Sequence, residues 1–307
     1  MSGERVAFER APWPGGRQDA QSAVASAVIT NALTIDVEDY FQVSAFAPYI
    51  CRDGWDAREC RVERNVGRIL ELLAERDIKA TFFTLGWIAE RYPQVVRQIV
   101  EGGHELASHG YGHERASDLT PEAFSQDIQR AKALLEDLGG TPVIGYRAPS
   151  FSIGVGNLWA FDKLARAGYR YSSSIYPIKH DHYGMPDSPR FAYRVGAGLL
   201  EIPVTTLRVM KRNLPSSGGG YFRLLPYAVS RWMLRKVNRE DREPAVFYFH
   251  PWEIDVDQPR IAGIDARTRF RHYVNIGRTE GRLRSLMRDF RWGRMDQIFL
   301  PGAAAPA

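Results

Sequence analysis

The sequence predicts an α/β fold, a barrel of parallel strands with helices packed on its outside. Along the 307 residues, apolar runs rich in Val, Ile and Phe alternate with amphipathic segments, which is typical of repeated strand–helix units. This alternation fits a doubly wound sheet as well as a barrel. The barrel is favoured because polar residues follow directly after candidate strands, and in a barrel these strand ends meet at one mouth. These residues are Asp36, His109, Arg147, Ser172 and His250.

The first half of the chain contains four predicted strands separated by three predicted helices. The strands are 27–35, 79–85, 104–108 and 143–146, and the helices are 62–74, 93–100 and 121–138. Apolar residues in 62–74 recur at intervals of three and four, which predicts one buried helical face. Pro93 and Pro121 stand at first helical positions, and a pair of glycines follows each of these two helices.

The second half continues the alternation less regularly. Predicted helices cover 157–167, 226–237 and 279–290, and predicted strands cover 169–172, 199–204 and 245–249. The unbroken apolar run 245–249 indicates a strand buried on both faces. None of the strands precedes a glycine-rich phosphate fingerprint, which weakens a nucleotide-binding interpretation.

The composition is that of a globular protein, with 44% hydrophobic and 25% charged residues. Residues 1–26, rich in Gly, Pro, Ala and charge, are predicted to be a disordered tail. The net charge of +5 is uneven, because residues 201–300 hold 19 Lys and Arg against 11 Asp and Glu. This excess predicts an acidic partner, or else a solvated basic face. No nucleic-acid-binding motif is recognisable, so we expect no nucleic acid partner.

The sequence also bears on the compartment. No apolar run reaches the length of about 18 residues that a spanning helix needs, and no signal peptide is visible at the start. We therefore expect a cytoplasmic protein, with peripheral contact to the inner membrane or to an assembly complex through the basic C-terminal part. Cys51 and Cys60 are expected to be free thiols, although a disulfide between them is the alternative.

A metal site is indicated by two polar segments. His109 and His113 stand four residues apart after one strand, and the acidic run 36–39 ends another. Two neutral imidazoles and one carboxylate form the ligand set of catalytic metal sites that keep a position open for water. The alternative for the histidine pair is a polar turn after a buried strand.

Four motifs, in order, resemble those of the polysaccharide deacetylases of carbohydrate esterase family 4, the NodB-homology group. They are Thr34-Ile35-Asp36-Val37-Glu38, Ser108-His109 through His113, Arg147-Ala148-Pro149 and Phe249-His250. The resemblance covers roughly residues 27–255. The segments 36–43, 250–253 and 273–278 further resemble the subgroup associated with exosortase-type exopolysaccharide systems.

The resemblance implies a distorted barrel over residues 27–253, followed by a C-terminal extension, 254–307, packed on it. It implies one divalent metal, usually zinc, held by Glu38, His109 and His113. Asp36 would be the general base and His250 the general acid that protonates the departing sugar amine. Arg147 would hold the Asp36 carboxylate in place and keep it ionised.

The sequence departs from the family pattern in three places. Val37 stands where a second Asp is usual; since a strand alternates its faces, Asp36 and Glu38 share one, which favours Glu38 over Asp39 as ligand. Ser172 stands where an Asp usually orients the acid histidine, so we expect either a lowered pKa of His250 or another acid, such as Glu253, as a substitute. No Gly-Pro follows the first motif, and we therefore expect a differently shaped mouth.

The leading functional hypothesis is a metal-dependent hydrolase that removes N-acetyl groups from an exopolysaccharide or its precursor, with an N-acetylated polysaccharide or oligosaccharide as partner. The alternatives are an amidase acting on a small cyclic or linear amide, and a non-catalytic glycan-binding protein of exopolysaccharide assembly. A second metal pair at His180 and His182 is a weaker hypothesis. Aromatic residues near the motifs are expected either to stack on sugar rings or to pack in the core. They are Tyr40, Phe41, Phe151, Tyr176 and Trp252.

Overall fold

A computed structural model describes residues 9–11, 28–180 and 184–302. Most of the predicted tail, 1–26, and His182 of the hypothetical second metal pair lie outside these residues. Within the tail, Glu9–Arg10 forms a short strand that pairs antiparallel with Tyr193 and Arg194.

Strands make one ten-stranded sheet and one separate hairpin. In chain order they are β1 (Glu9–Arg10), β2 (Thr30–Val37), β3 (Thr81–Thr84), β4 (Glu105–Ser108), β5 (Gly145–Tyr146), β6 (Tyr171–Ser172), β7 (Tyr193–Val195), β8 (Leu199–Glu201), β9 (Thr206–Val209), β10 (Arg212–Pro215), β11 (Val246–Phe249) and β12 (Arg291–Gly293). The order across the large sheet is β1-β7-β8-β6-β5-β4-β3-β2-β11, with β12 also on β2, and β9 pairs with β10. Only the β1–β7 and β7–β8 pairs of the large sheet are antiparallel.

The barrel closes irregularly between β8 and β11. No regular ladder joins these strands in the described sheet; residues 202–218 leave the wall as the β9–β10 hairpin and return. The Thr205 amide donates to the Val246 carbonyl at 3.4 Å, and the Tyr248 amide donates to the Ser217 carbonyl at 2.7 Å. A Cβ at Gly218, where φ is +124°, would lie 1.8 Å from the Tyr248 carbonyl oxygen, so only glycine allows this approach. The predicted α/β class is confirmed, with a parallel sheet whose closure is distorted.

Ten helices in the described ranges surround the sheet. They are α1 (Val62–Ala74), α2 (Gly86–Arg91), α3 (Pro93–Glu101), α4 (Pro121–Gly139), α5 (Trp159–Arg166), α6 (Gly219–Leu224), α7 (Tyr227–Lys236), α8 (Ala266–Tyr273), α9 (Ile276–Asp289) and α10 (Met295–Phe299). The Thr120 hydroxyl caps α4 by accepting from the Ala123 amide, and Gly140 ends it in the left-handed region. None of the described helices has both the length and the apolar character needed to cross a membrane.

The core has two main parts, on opposite faces of the strands. Alternate residues such as Leu33, Ile35 and Phe82 pack under the helices, whereas Ala32, Phe83 and their equivalents fill the barrel interior. Helix α10 closes the amino-terminal end of the barrel with the side chains of Met295, Ile298 and Phe299. The sheet therefore leaves only its carboxyl end, the mouth, for a site.

The predicted elements are present, and most differences are at their ends. The strands predicted at 143–146 and 169–172 are only two residues long, β5 and β6. Seven elements of the second half were not predicted: β7, the two strands of the β9–β10 hairpin, α6, α8, β12 and α10. These segments lack a clear apolar period because several of their side chains remain exposed.

Candidate active site

The carboxyl ends of β2, β4, β5 and β11 bring the six predicted site residues together at the mouth. Asp36 lies in β2 and Glu38 follows it, His109 follows β4, Arg147 follows β5, and His250 follows β11. His113 lies in the loop beyond His109. All six are buried except His250, which is partly exposed. Of these six side chains, His250 is therefore the one that solvent reaches most easily.

Glu38, His109 and His113 form a compact group of metal-binding side chains. Their ligand atoms all lie within 4.8 Å of one another, and His113 Nε2 is 2.6 Å from Glu38 Oε2. His109 Nδ1 lies 2.8 Å from the Arg147 carbonyl oxygen, to which it donates as the Nδ1–H tautomer, so Nε2 is left as the lone-pair donor. Two nitrogens and one carboxylate oxygen match the donor set of a divalent transition metal. In the described part of the chain, no second group of His, Cys, Asp or Glu comes together in this way.

Electrostatics in this group suit a cation. Burial lowers the pKa of His109 to about 4, so its imidazole is neutral at pH 7, as a metal ligand must be. Burial opposes ionisation of Glu38, but the nearby imidazoles of His113 and His250 outweigh it and lower the pKa of this carboxyl. The buried carboxylate therefore keeps its negative charge.

The loop that carries His113 is held by its backbone. The Asp127 carboxylate accepts from the Tyr111 amide at 3.1 Å, and the Gly86 amide donates to the Gly110 carbonyl at 2.9 Å. Gly110 and His113 both have positive φ, +76° and +56°. A non-glycine residue in this region is strained, and such strain is found where a side chain is directed to a particular point.

Asp36 is held by Arg147, as predicted. Arg147 is fully buried, and its Nη1 lies 2.6 Å from Asp36 Oδ1 and 2.8 Å from the Thr34 hydroxyl. Its other nitrogens donate to the carbonyl and hydroxyl of Ser173, at 3.2 and 3.0 Å. The fixed guanidinium leaves Asp36 Oδ2 facing the site, 3.9 Å from His250 Nε2.

Asp39 has a different role from Glu38. Its Oδ1 accepts from the Tyr40 amide at 2.7 Å, and its Oδ2 accepts from the Arg61 and Val62 amides at 2.5 and 2.9 Å. Burial raises the pKa of Asp39, while these three backbone donors favour the ionised form. With both oxygens occupied by backbone, Asp39 joins the turn after β2 to the start of α1. The geometry therefore supports Glu38 in preference to Asp39 as the third ligand.

His250 is oriented by Glu253. Its Nδ1 lies 2.6 Å from Glu253 Oε1, and the His250 backbone amide donates to the same oxygen at 3.1 Å. Burial alone would lower the pKa of His250, but Glu38, Glu253 and Asp36 raise it to about 9, so the alternative of a lowered pKa was wrong. Ser172 does not act here: its hydroxyl donates to the Ser174 hydroxyl at 2.8 Å. Glu253, three residues after His250, thus supplies the carboxylate that Ser172 lacks.

Trp252 has a contact that the sequence analysis missed. Its indole Nε1 donates to Glu38 Oε1 at 3.2 Å, and its ring stacks on His250 with centroids 5.2 Å apart. The sequence placed it among the aromatic residues expected either to stack on sugar rings or to pack in the core. All five of those side chains, Tyr40, Phe41, Phe151, Tyr176 and Trp252, are buried, which favours the core-packing alternative. The only sequence signal was the spacing of Trp252 two residues after His250.

Other candidates from the sequence are resolved in part. Cys51 is exposed and Cys60 half-buried, and both are free, as expected. Of the hypothetical pair His180 and His182, only His180 lies within the described residues, so that pairing stays a hypothesis.

Two family models match the chain, one after the other. Residues 53–172 match the model described as polysaccharide deacetylase, and residues 173–300 match a domain of unknown function, DUF3473. His109, His113 and Arg147 lie in the first segment and His250 in the second, while Asp36 and Glu38 precede both. The single sheet runs through both segments, since β6 ends at Ser172 and β11 pairs with β2.

Curated relatives match a little more than a third of the chain. A peptidoglycan deacetylase-like protein, FGM2, from Gibberella zeae is 34% identical over 113 residues, 36% of this chain and 32% of that protein. A peptidoglycan deacetylase from Helicobacter pylori is 29% identical over 118 residues, 37% of this chain and 38% of that protein. The chain thus spans about a third of the length of these relatives.

A solved structure shares the fold over nearly the whole chain. It is a crystal structure from Mycobacterium smegmatis assigned as a polysaccharide deacetylase, with a TM-score of 0.60 and 22% identity. The alignment covers 96% of this chain and 94% of that one. At this identity the likeness establishes the fold, including the part that follows residue 172.

Proposed function

We propose that the chain is a metal-dependent hydrolase that removes N-acetyl groups from sugar residues. The match of residues 53–172 to the polysaccharide deacetylase model supports this class of activity. The observation that carries the proposal is the juxtaposition of a metal-binding triad, a fixed carboxylate and a histidine. Glu38, His109 and His113 lie beside Asp36, and His250 Nε2 is within 3.9 Å of Asp36 and 3.5 Å of Glu38. These are the groups that amide hydrolysis needs.

Glu38, His109 and His113 would hold the cation, for which we propose zinc. The donor set fits, since both imidazoles are buried and the Glu38 carboxylate is ionised. A divalent cation bound there supplies Lewis acidity toward the acetamide carbonyl.

Asp36 is the proposed base. Its Oδ1 is occupied by Arg147, so Oδ2 is the atom that accepts a proton from the attacking water. Arg147 prevents the buried carboxylate from turning away and stabilises its charge.

His250 is the proposed acid. With Glu253 on Nδ1, its Nε2 points toward Asp36 and Glu38, where the departing nitrogen must be protonated as the carbon–nitrogen bond breaks. The products are acetate and a free sugar amine. The raised pKa of His250 keeps this imidazole protonated at neutral pH.

For the substrate we propose an N-acetylated polysaccharide, specifically an exopolysaccharide or its precursor. The relatives support only the general class, since their names refer to peptidoglycan, and the basic region 201–300 is the reason to consider an anionic glycan.

Metal analysis of the purified protein, combined with acetate release from chitin-type oligomers and from exopolysaccharide fragments, tests the proposal. We expect about one metal per chain and acetate from N-acetylated oligomers. Acetate or ammonia release from small cyclic or linear amides alone would support the amidase alternative. Glycan binding with neither metal nor acetate release would support the non-catalytic alternative.

We also propose a peripheral position on the inner membrane through the outer face of α7. Trp232 is 53% exposed there, with Arg235 exposed beside it and the Lys236 ammonium 6.0 Å from the indole ring centroid. At the nearby hairpin turn, Met210 is 92% exposed between Val209 and Lys211. Apolar side chains beside cations match the interface of an anionic bilayer.

Co-sedimentation with vesicles tests the membrane contact. We expect the protein to pellet with anionic but not neutral vesicles, and W232A to weaken this. The control is V155A, which removes a comparably exposed side chain that is not on α7. Failure to pellet with anionic vesicles would contradict the contact without affecting the catalytic proposal.

A further inference from the structure

A second buried arginine stands behind the histidine of the site. The Arg223 Nε lies 2.6 Å from Glu253 Oε2, and the two side chains are almost completely buried. The other oxygen of Glu253 accepts from the Nδ1 and the backbone amide of His250. Both carboxylate oxygens are therefore occupied, one by an arginine and one by the histidine. The three side chains form a continuous chain of charge-assisted hydrogen bonds that ends at Nδ1 of His250.

Arg223 is anchored to the last turn of α8 and to the residue that follows this helix. Its Nη1 donates to the carbonyls of His272 and Val274, and its Nη2 donates to the carbonyl of Arg271 at 3.2 Å. In return, the Asn275 side chain donates to the Arg223 carbonyl at 2.9 Å. All three guanidinium nitrogens are thus used, and the planar fork can adopt only one orientation. The position of Glu253 consequently depends on the backbone of residues 271–275.

The same segment supports the ring that lies over His250. His272 stacks on Trp252 with centroids 4.2 Å apart and an interplanar angle of 13°, and Trp252 stacks on His250 at 5.2 Å and 17°. The Arg223 guanidinium lies 5.1 Å from the Trp252 ring centroid. Residues 271–275 therefore restrain His250 by two routes, one polar and one through the stacked rings.

We propose that Arg223 is a positioning residue for the departing-group acid His250, and that the part of the chain after residue 253 serves to hold it. This inference rests on the proposed deacetylase function. Arg223 itself touches neither the metal-binding group nor any reacting atom. It acts by keeping the Glu253 carboxylate ionised and aimed at Nδ1, which directs Nε2 toward the departing nitrogen.

Two substrates with different leaving groups can distinguish a residue that positions the acid from one that only supports the fold. When the acetamide of a sugar is hydrolysed, its nitrogen must gain a proton as the carbon–nitrogen bond breaks. When 4-nitrophenyl acetate is hydrolysed, the phenolate leaves without a proton. A defect in the acid alone should slow the first reaction and spare the second.

The experiment compares R223Q and R223K with the wild type as full-length, metal-loaded proteins on both substrates. For R223Q we expect kcat on chitin-type oligomers to fall about 10- to 100-fold with KM unchanged, and kcat on the ester to change less than about 3-fold. R223K should recover part of the loss, because it restores the charge but not the fork. Equal losses on the two substrates would overturn the inference.

The control is R190Q, which breaks another arginine–carboxylate pair, with Asp241 at 2.8 Å, away from the site. It should reduce stability without any difference between the two substrates. If R190Q reproduced the pattern of R223Q, the effect would be structural and the inference wrong.

A spectroscopic measurement is independent of activity on any sugar. In protein with ¹⁵N-labelled histidine, the Nδ1 proton of His250 should give a slowly exchanging resonance, which R223Q and E253Q shift or broaden. An unchanged resonance in R223Q would overturn the inference even if the protein deacetylates sugars. A wild type that releases no acetate but shows the shift would instead count against the proposed function alone.

Discussion

Two buried arginine–carboxylate pairs support opposite sides of the site, and they work differently. In each pair the closest contact is 2.6 Å, from Arg147 to Asp36 and from Arg223 to Glu253. Asp36 keeps one oxygen facing the site, whereas both oxygens of Glu253 are occupied, one of them by His250. The first pair thus presents a carboxylate to the reaction, and the second presents a histidine through a carboxylate.

The two pairs also differ in how the chain builds them. Arg147 follows β5 and Asp36 lies in β2, so parallel strands of the barrel place both. Arg223 lies in α6 and depends on carbonyls at the end of α8 and just after it, in the segment that matches a domain of unknown function. The comparison teaches that the side of the site with the proposed base belongs to the barrel wall, while the side with the proposed acid is assembled by the chain that follows it.

The largest expected effect comes from removing the carboxylate that faces the site. In D36N, kcat for acetate release should fall about 100- to 10,000-fold, since a general base contributes that much. The metal content should stay at the wild-type level because Asp36 is not among the three clustered ligands. Acetate release and metal analysis on the same sample check this. Retention of more than about a tenth of the activity would show that Asp36 is not the base.

The two arginines should differ in their contribution to stability. R147M leaves Asp36 buried with its closest remaining cationic neighbour, His250, at 3.9 Å, and should cost about 3–5 kcal/mol. R223M leaves Glu253 with His250 at 2.6 Å and should cost less. Urea unfolding measures both variants. In the double variant D36N/R147M, part of the stability lost in R147M should be recovered. If R223M cost as much stability as R147M or more, the expected difference between the two arginines would be wrong.

Glu201 is a third buried carboxylate. Unlike Asp36 and Glu253, it is not bonded to an arginine in the described structure. Its Oε1 accepts from the Ser174 and Ile175 amides at 2.9 and 2.8 Å, and burial raises its pKa from 4.5 to about 7. The folded state therefore holds a proton that the unfolded chain loses near pH 4.5. The extra folding stability that this proton provides is fully present below that pH and is lost as pH rises toward and through 7.

E201Q should flatten this dependence. Between pH 4.5 and 7.5, the unfolding free energy of E201Q minus that of the wild type should rise by about 3 kcal/mol. This value follows from the raised pKa of Glu201, since one pKa unit corresponds to about 1.36 kcal/mol. Urea unfolding at several pH values measures it. Parallel curves for the two proteins would show that Glu201 is not protonated in the folded state.

The smallest expected effect on stability is that of D39N, and comparison with E38Q distinguishes Asp39 from Glu38 as the third metal ligand. D39N should cost about 0.5–2 kcal/mol, the usual range for a capping side chain, with the metal content unchanged. E38Q should lose metal binding. Loss of metal in D39N together with retention in E38Q would reverse the assignment of the third ligand.

Much of this could be predicted from the sequence because it is local. A strand ending in Asp36, or a helix between Thr120 and Gly140, is encoded within ten to twenty residues. Since carboxyl ends of parallel strands share one edge, the sequence also predicted that Asp36, His109, Arg147 and His250 meet. The α8 helix and the hairpin were missed because neither buries a periodic apolar face.

By itself, the sequence determined the α/β class, the strand ends and the six residues at the mouth, because strand alternation and turn chemistry act over short distances. Only the tertiary structure decided that backbone amides occupy Asp39, that Ser172 turns to Ser174, and that Arg223 supports Glu253. The first and the third of these outcomes depend on contacts between residues 22 to 52 positions apart in the chain, such as Arg61 with Asp39 and Asn275 with Arg223. Packing of the later helices onto the barrel determines such contacts, and no local pattern records them.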